Sequence, residues 1–249
     1  MNIIKCYLIN NDCYSARKTK IVGQPYGIVV HSTGANNVHV RRYVQPVCGQ
    51  ENFKELREII GVNTNSNHWN YPCIEKCVHA FIGKIANGSI ATVNTLPYDL
   101  CAWGVGNGSK GSYNWNPKAH IQFEICEDNL TDRQYFNAVM KEAQEYCAYL
   151  CKEFGIPVER IISHHESYLK GYGCNHGDID HWLKQYNRDM NWFRGEVSKL
   201  IGLSTKDDYI KAIVDKVGYD NPAPVIEAFQ KLEHPFAFDL FRKLYLSLK

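Results

Sequence analysis

The sequence predicts a mixed α/β domain, a central β-sheet flanked by helices, followed by a small all-α C-terminal domain. Three observations predict it. Short β-branched runs of strand type alternate with helical patterns over residues 1–203. One helical pattern, 131–154, is long enough to cover a sheet. Beyond Gly202 only short helical patterns remain, so the chain divides into 1–203 and 204–249.

The elements follow in order. Tyr26-Gly27-Ile28-Val29-Val30 ends a buried-strand run, and His31-Ser32-Thr33-Gly34 follows at its end. Phe53, Leu56, Ile59 and Ile60 recur at helical spacing and are closed by Gly61. His79–Gly83 and Ser89–Val93 flank Asn87-Gly88, a dipeptide that turns hairpins because both residues accept positive φ. Residues 104–118 are rich in Gly, Asn and Ser and read as a long surface loop. Ile121–Ile125 alternates with period two, which puts Gln122 and Glu124 on one face of a strand.

Thr131 with Gln134 fits a capping box opening the helix 131–154. Phe136, Val139, Met140, Ala143, Cys147, Leu150, Cys151 and Phe154 form its apolar stripe, and Gly155 and Pro157 end it. Val158–Ile162 reads as a further strand running into Ser163-His164-His165-Glu166. In the tail, Tyr209–Val217, Val225–Leu232 and Leu240–Leu248 give three helical patterns.

Composition excludes several classes. Of the 249 residues 45% are hydrophobic and 22% charged, as in ordinary globular chains. A net charge of +2 gives no basic surface for nucleic acid. No apolar run approaches the ~18 residues of a membrane span. The run at Met1–Asn11 is too short for a signal peptide, which points to synthesis and residence in the cytoplasm. Ten cysteines are too few for a disulfide scaffold, which needs more than roughly 8–10%. With no Cys-x-x-Cys pair, they read mostly as small buried hydrophobes.

The ten histidines carry more information. His31 and His164 each follow a strand, and Cys174-Asn175-His176-Gly177-Asp178-Ile179-Asp180-His181-Trp182 comes ten residues later. Sites gather at the carboxyl ends of strands in α/β sheets. Two histidines and a carboxylate brought to one sheet edge can bind zinc and leave a fourth position open.

These segments resemble the zinc-dependent N-acetylmuramoyl-L-alanine amidases, a family that includes phage lysozyme-type amidases and peptidoglycan-recognition proteins. The resemblance rests on His31–Asn37, His79–Gly83, Ile121–Glu127 and His164–Trp182, and covers roughly residues 1–200. The nearest branch is the phage or prophage endolysin of clostridia-like Gram-positive hosts. The resemblance implies one Zn2+ held by His31, His164 and Asp178. Ile179 stands where the family commonly has Pro, which leaves Cys174 and His176 as rivals for the third position. It implies Glu124 as acid/base and His176, in place of the family's Lys, as stabiliser of the oxyanion. It implies peptidoglycan as substrate, with the amide between N-acetylmuramic acid and L-alanine as the bond cut. The alternative is a catalytically silent peptidoglycan-recognition module of the same fold, which the presence of all three ligand candidates disfavours.

The remaining aromatic residues are read from their neighbourhood. His79 is expected behind the site or in the packing, and His181 in its wall. Trp103, Tyr113 and Trp115 beside the glycine-rich loop suit a sugar or peptide groove. The tail is expected to target the cell wall or to form a homo-oligomer, with Phe229, Phe236, Phe238 and Phe241 needing cover.

Overall fold

The computed structural model describes residues 3–202, 210–211, 213–214, 217–218 and 221–231. The chain separates into two compact units, Met1–Val197 and Ser198–Lys249. The first contains a six-stranded sheet: β1 (Ile3–Lys5), β2 (Ile28–Ser32), β3 (Ala80–Lys84), β4 (Ile90–Asn94), β5 (Ile121–Ile125) and β6 (Ile161–Ser163), in the order β1-β4-β3-β5-β2-β6. The neighbours β3, β5, β2 and β6 run parallel, while β4 runs antiparallel to β3 and β1 parallel to β4. The β3–β4 hairpin turns at Asn87-Gly88, with Gly88 at φ 85°. β2 is buried along its whole length, as a strand covered on both faces must be.

Register decides the faces. Val30 pairs with Phe123 and Phe123 with Ala80, and this face is covered by α2 (Arg133–Phe154). Phe123 meets Tyr146 of α2 edge-on at 5.2 Å. On the opposite face His31 pairs with Glu124 and Glu124 with Phe81. Phe81 stacks on Tyr43 in a cluster with Leu56 and Ile60 of α1 (Phe53–Ile60). The apolar floor beneath His31 is thus completed by α1 on one side. On the other, Val105, Tyr113 and Tyr172 pack on Val29 and Ile162.

Several elements differ from the sequence expectation. The α2 cap is Asp132, not Thr131. Its Oδ1 accepts from the Gln134 and Tyr135 amides at 2.9 and 3.0 Å, while the Thr131 hydroxyl donates to Asn129. A carboxylate satisfies two free N–H groups and also suits the helix dipole. Residues 158–160 are a 3-10 turn after Pro157, closed by Arg160 N–H to Pro157 O, so β6 begins only at Ile161. The 104–118 segment is a loop, but Val105, Ser112, Tyr113 and Asn114 are buried beneath its surface. Tyr113 turns inward against His120 and Tyr172 rather than flanking a groove.

Strand β1 and the helices α3 (His164–Leu169), α4 (Asp180–Gln185) and α5 (Met190–Ile201) are elements that the sequence patterns do not predict. In the second unit Ile210, Ile213 and Val214 are buried against Val225, Ile226 and Phe229 of α6 (Pro222–Gln230). The pattern at 240–248, His234, Phe236, Phe238 and Phe241 lie outside the described residues. All ten cysteines are free and seven are buried, including Cys147 and Cys151 on the α2 stripe.

His79 is fully buried. Its Nε2 donates to Leu100 O at 2.9 Å and its Nδ1 accepts from the Gln122 amide at 3.0 Å. Burial pushes its pKa from 6.5 down to about 4, only partly offset by its backbone partners and Asp99. The unfolded chain therefore binds this proton near pH 6.5 and the folded chain only near 4. Folding stability is lost as pH falls across that window, by about 3 kcal/mol from this group. Urea denaturation from about pH 7 to 4 should show the midpoint falling. His79→Asn should flatten the slope at a lower overall stability; an unchanged slope would contradict the assignment.

Candidate metal centre

The site lies at the carboxyl ends of β2, β5 and β6. His31 is the fourth residue of β2, and its partner across the ladder is Glu124. His164 follows β6 directly and opens α3, whose N-cap is Ser163. A capping box fixes this turn: Ser163 Oγ accepts from the Glu166 amide and Glu166 Oε2 accepts from the Ser163 amide. Arg194 of α5 grips both Glu166 oxygens at 2.9 and 3.1 Å and also donates to Ile161 O. Asp178 arrives from the segment between α3 and α4.

These three residues converge. His31 Nδ1 lies 3.1 Å from His164 Nδ1 and 3.1 Å from Asp178 Oδ2; His164 Nδ1 lies 3.4 Å from Asp178 Oδ1. Both histidines are buried and Asp178 nearly so. A tetrahedral shell with metal–ligand bonds of roughly 2.0–2.1 Å has donor-to-donor edges of about 3.3 Å, and the observed spacings match that. Two imidazole nitrogens and a carboxylate oxygen so disposed can hold a metal ion. Burial opposes ionisation of Asp178, but the imidazoles of His164 and His31 outweigh it and hold the carboxyl well below its usual range. It is a carboxylate at neutral pH.

The rivals for the third position stand elsewhere. Cys174 Sγ approaches the far nitrogen of His164, Nε2, at 3.5 Å. His176 is largely exposed, stacks on the His164 ring at 4.9 Å and brings Nδ1 to 3.6 Å from Asp178. Both line the same cavity of about 570 Å³, as do Glu124, Trp103 and His181. Trp115 tilts against Trp103 at 6.2 Å, at the outer rim of the aromatic wall.

Glu124 is not a solvated strand residue. Its Oε2 is sealed from solvent and has no hydrogen-bond partner among the described residues. Burial, then the charges of Asp178 and Glu127, push its pKa well above the usual carboxylate range. His181 closes the wall by pairing with buried Glu127 at 3.2 Å; burial alone would lower its pKa, yet that carboxylate and the Gly177 carbonyl raise it.

Sequence reasoning gives no role to Gln122, whose Oε1 meets His31 Nε2 at 3.1 Å. The period-two alternation with Glu124 is the signal, since both side chains point to the face that bears His31. It also misses Glu127 and the Glu166–Arg194 clamp; Arg194 has no motif and is found only through the fold.

A family model described as N-acetylmuramoyl-L-alanine amidase matches residues 22–179, well over half of the chain and all of the converging residues. The chain belongs to the N-acetylmuramoyl-L-alanine amidase family. Membership makes it a hydrolase acting on a peptidoglycan amide bond. Among solved structures, the amidase is similar to a mutant form of PlyL, at 19% identity and TM-score 0.52, covering 80% of this chain and 99% of that one. It is similar to the PlyG catalytic domain, at 20% identity and TM-score 0.51, covering 82% and 98%. It is also similar to the Staphylococcus aureus hydrolase AmiA in complex with its ligand, at 20% identity and TM-score 0.50, covering 81% and 83%. These likenesses establish the mixed-sheet amidase fold. No curated protein matches the chain.

The clamp behind His164 gives a direct test. Arg194→Met removes a bidentate partner from partly buried Glu166 and should lower unfolding free energy by about 1–3 kcal/mol. A urea midpoint equal to wild type would show that the clamp does not hold α5 to the start of α3.

Proposed function

We propose that this amidase is zinc-dependent and hydrolyses the amide between the lactyl group of N-acetylmuramic acid and L-alanine. The observation that carries the proposal is the convergence of His31, His164 and Asp178 within 3.4 Å beside a sealed, unpartnered carboxyl oxygen of Glu124. His31, His164 and Asp178 would hold the zinc, which would supply Lewis acidity to polarise the scissile carbonyl and to lower the pKa of water toward about 7.

The remaining steps belong to the protein. Glu124 takes the proton of the attacking water and delivers it to the L-alanine nitrogen as that amine leaves. A carboxyl in a buried, anionic setting has a raised proton affinity, which suits it to take the proton from water and keep it until the amine departs. His176, held against the His164 ring, turns its imidazole toward the carbonyl oxygen and stabilises the charge that develops there. The aromatic wall at Trp103 takes the apolar faces of the substrate.

The assignment as a phage or prophage endolysin of a clostridia-like Gram-positive host belongs to the same proposal and rests on the motif resemblance. The division into a catalytic domain, 1–203, and a helical domain, 204–249, that targets the wall or forms a homo-oligomer is also part of the proposal, and rests on the change of sequence pattern beyond Gly202.

Release of L-alanine amino termini from purified cell walls should stop with a zinc chelator and return with added zinc; chelator-insensitive release would sink the zinc reading. Glu124→Gln should lower kcat by about 10²–10⁴-fold with zinc content unchanged. His176→Ala should lower kcat by about 10²–10³-fold with zinc retained, and near-wild-type turnover would remove it from the mechanism. A chain ending after Leu203 should lose wall binding or change its sedimentation; if it does neither, the role given to 204–249 is wrong.

A further inference from the structure

We infer that Gln122 and Asn114 are positioning residues that dictate which nitrogen of His31 is free to bind the metal. The inference rests on the reading of His31 as a ligand, and it starts from the backbone. Asn114 Oδ1 accepts from the amides of Gly104 and Val105 at 3.1 and 3.2 Å. Backbone N–H groups are donors without choice, so the Asn114 atom facing them is the oxygen. The same oxygen lies 2.9 Å from the Gln122 side chain. Facing an acceptor, Gln122 must present its NH2 group, which turns its Oε1 toward His31. That oxygen is 3.1 Å from His31 Nε2.

A carbonyl oxygen accepts only, so Nε2 of a neutral His31 carries the proton and Nδ1 carries the lone pair. Nδ1 is the atom that faces His164 and Asp178. Two main-chain amides thus set the tautomer of a ligand through two side-chain amides. All three side chains are sealed from solvent: Gln122 is 0% exposed, His31 1% and Asn114 6%. Water cannot substitute for a lost link.

The relay also ties the metal site to its wall. Gly104 sits directly on Gln122, where a Cβ would collide with Oε1 and lie 3.1 Å from His31 Nε2. The seat of the 104–118 loop and the orientation of His31 are therefore one arrangement. His164 has nothing equivalent among the described residues, since its Nε2 meets only the weakly accepting Cys174 sulfur. The two histidines are unequal, and His31 is the one whose orientation is built in.

The test uses the full chain and zinc titrated against a chromophoric chelator. Gln122→Met keeps the shape and removes the acceptor, and should weaken zinc affinity about 10–100-fold. Gln122→Glu sets a second oxygen against Asn114 Oδ1 in place of the donating NH2 and should not restore that loss. Wild-type affinity in Gln122→Met, or in Gln122→Glu, would overturn the relay. Failure of the wild-type chain to bind zinc would instead overturn the ligand reading beneath it. Imidazole 15N shifts of the metal-free wild-type protein, at mildly alkaline pH, give a readout independent of any variant. They should show His31 protonated on Nε2, and a proton on Nδ1 would refute the inference.

Discussion

The register of three parallel strands is the constraint on which the rest depends. β5, β2 and β6 align so that His31 pairs with Glu124, while Val30 pairs with both Phe123 and Ser163. Because alternate residues face opposite ways, this register sends Val30 and Phe123 into the layer beneath α2 and His31 and Glu124 into the cavity. A slip of one residue would bury the polar pair under α2 and expose the apolar one. The hydrophobic demand of the α2 face thus holds the chemistry in place: Phe123 cannot leave Tyr146 without Glu124 leaving its pocket.

Two carboxyl groups near one another are driven apart in character by their partners. Asp178 has two imidazoles within hydrogen-bond distance and stays ionised despite burial. Glu124 has no hydrogen-bond donor on Oε2 among the described residues, and burial and the charge of Asp178 make it reluctant to ionise, only partly offset by Lys76. Identical functional groups thereby become suited to different work, one to hold a cation and the other to carry a proton. The same economy of partners explains His79 and His31, both buried, each with one ring nitrogen that donates to an oxygen.

What the sequence disclosed follows the range of the signals. The sheet, its hairpin and α2 were legible because apolar periodicity and Asn87-Gly88 are local. The candidate site residues were proposed because strand ends and the family-like motif segments point to them, Glu124 through the likeness of its strand to the family's, while the alternation with Gln122 told only which face it shares. The shorter elements were not legible. α5 carries its core residues Met190, Phe193 and Val197 at helical spacing, but twelve residues with Arg, Glu and Lys between them give a weak pattern. β1 is three residues long and exists only because β4 offers it an edge. The capping position at Asp132 rather than Thr131 turned on which side chain met the free amides, a matter of geometry. The relay through Asn114 was invisible for the same reason: it joins a loop to a strand through an amide orientation, and sequence does not record which way an amide points.

The residues of the candidate metal centre are far apart along the chain: 133 positions separate His31 from His164 and 147 separate it from Asp178. Closing so long a loop carries an entropic cost that only the finished sheet repays. The centre therefore comes into being late, after β2, β5 and β6 have all been synthesised and paired. A partial chain emerging from the ribosome has no competent site, however well its first strands have formed. The order of the residues makes this convergence a property of the completed fold rather than of any shorter stretch of the chain.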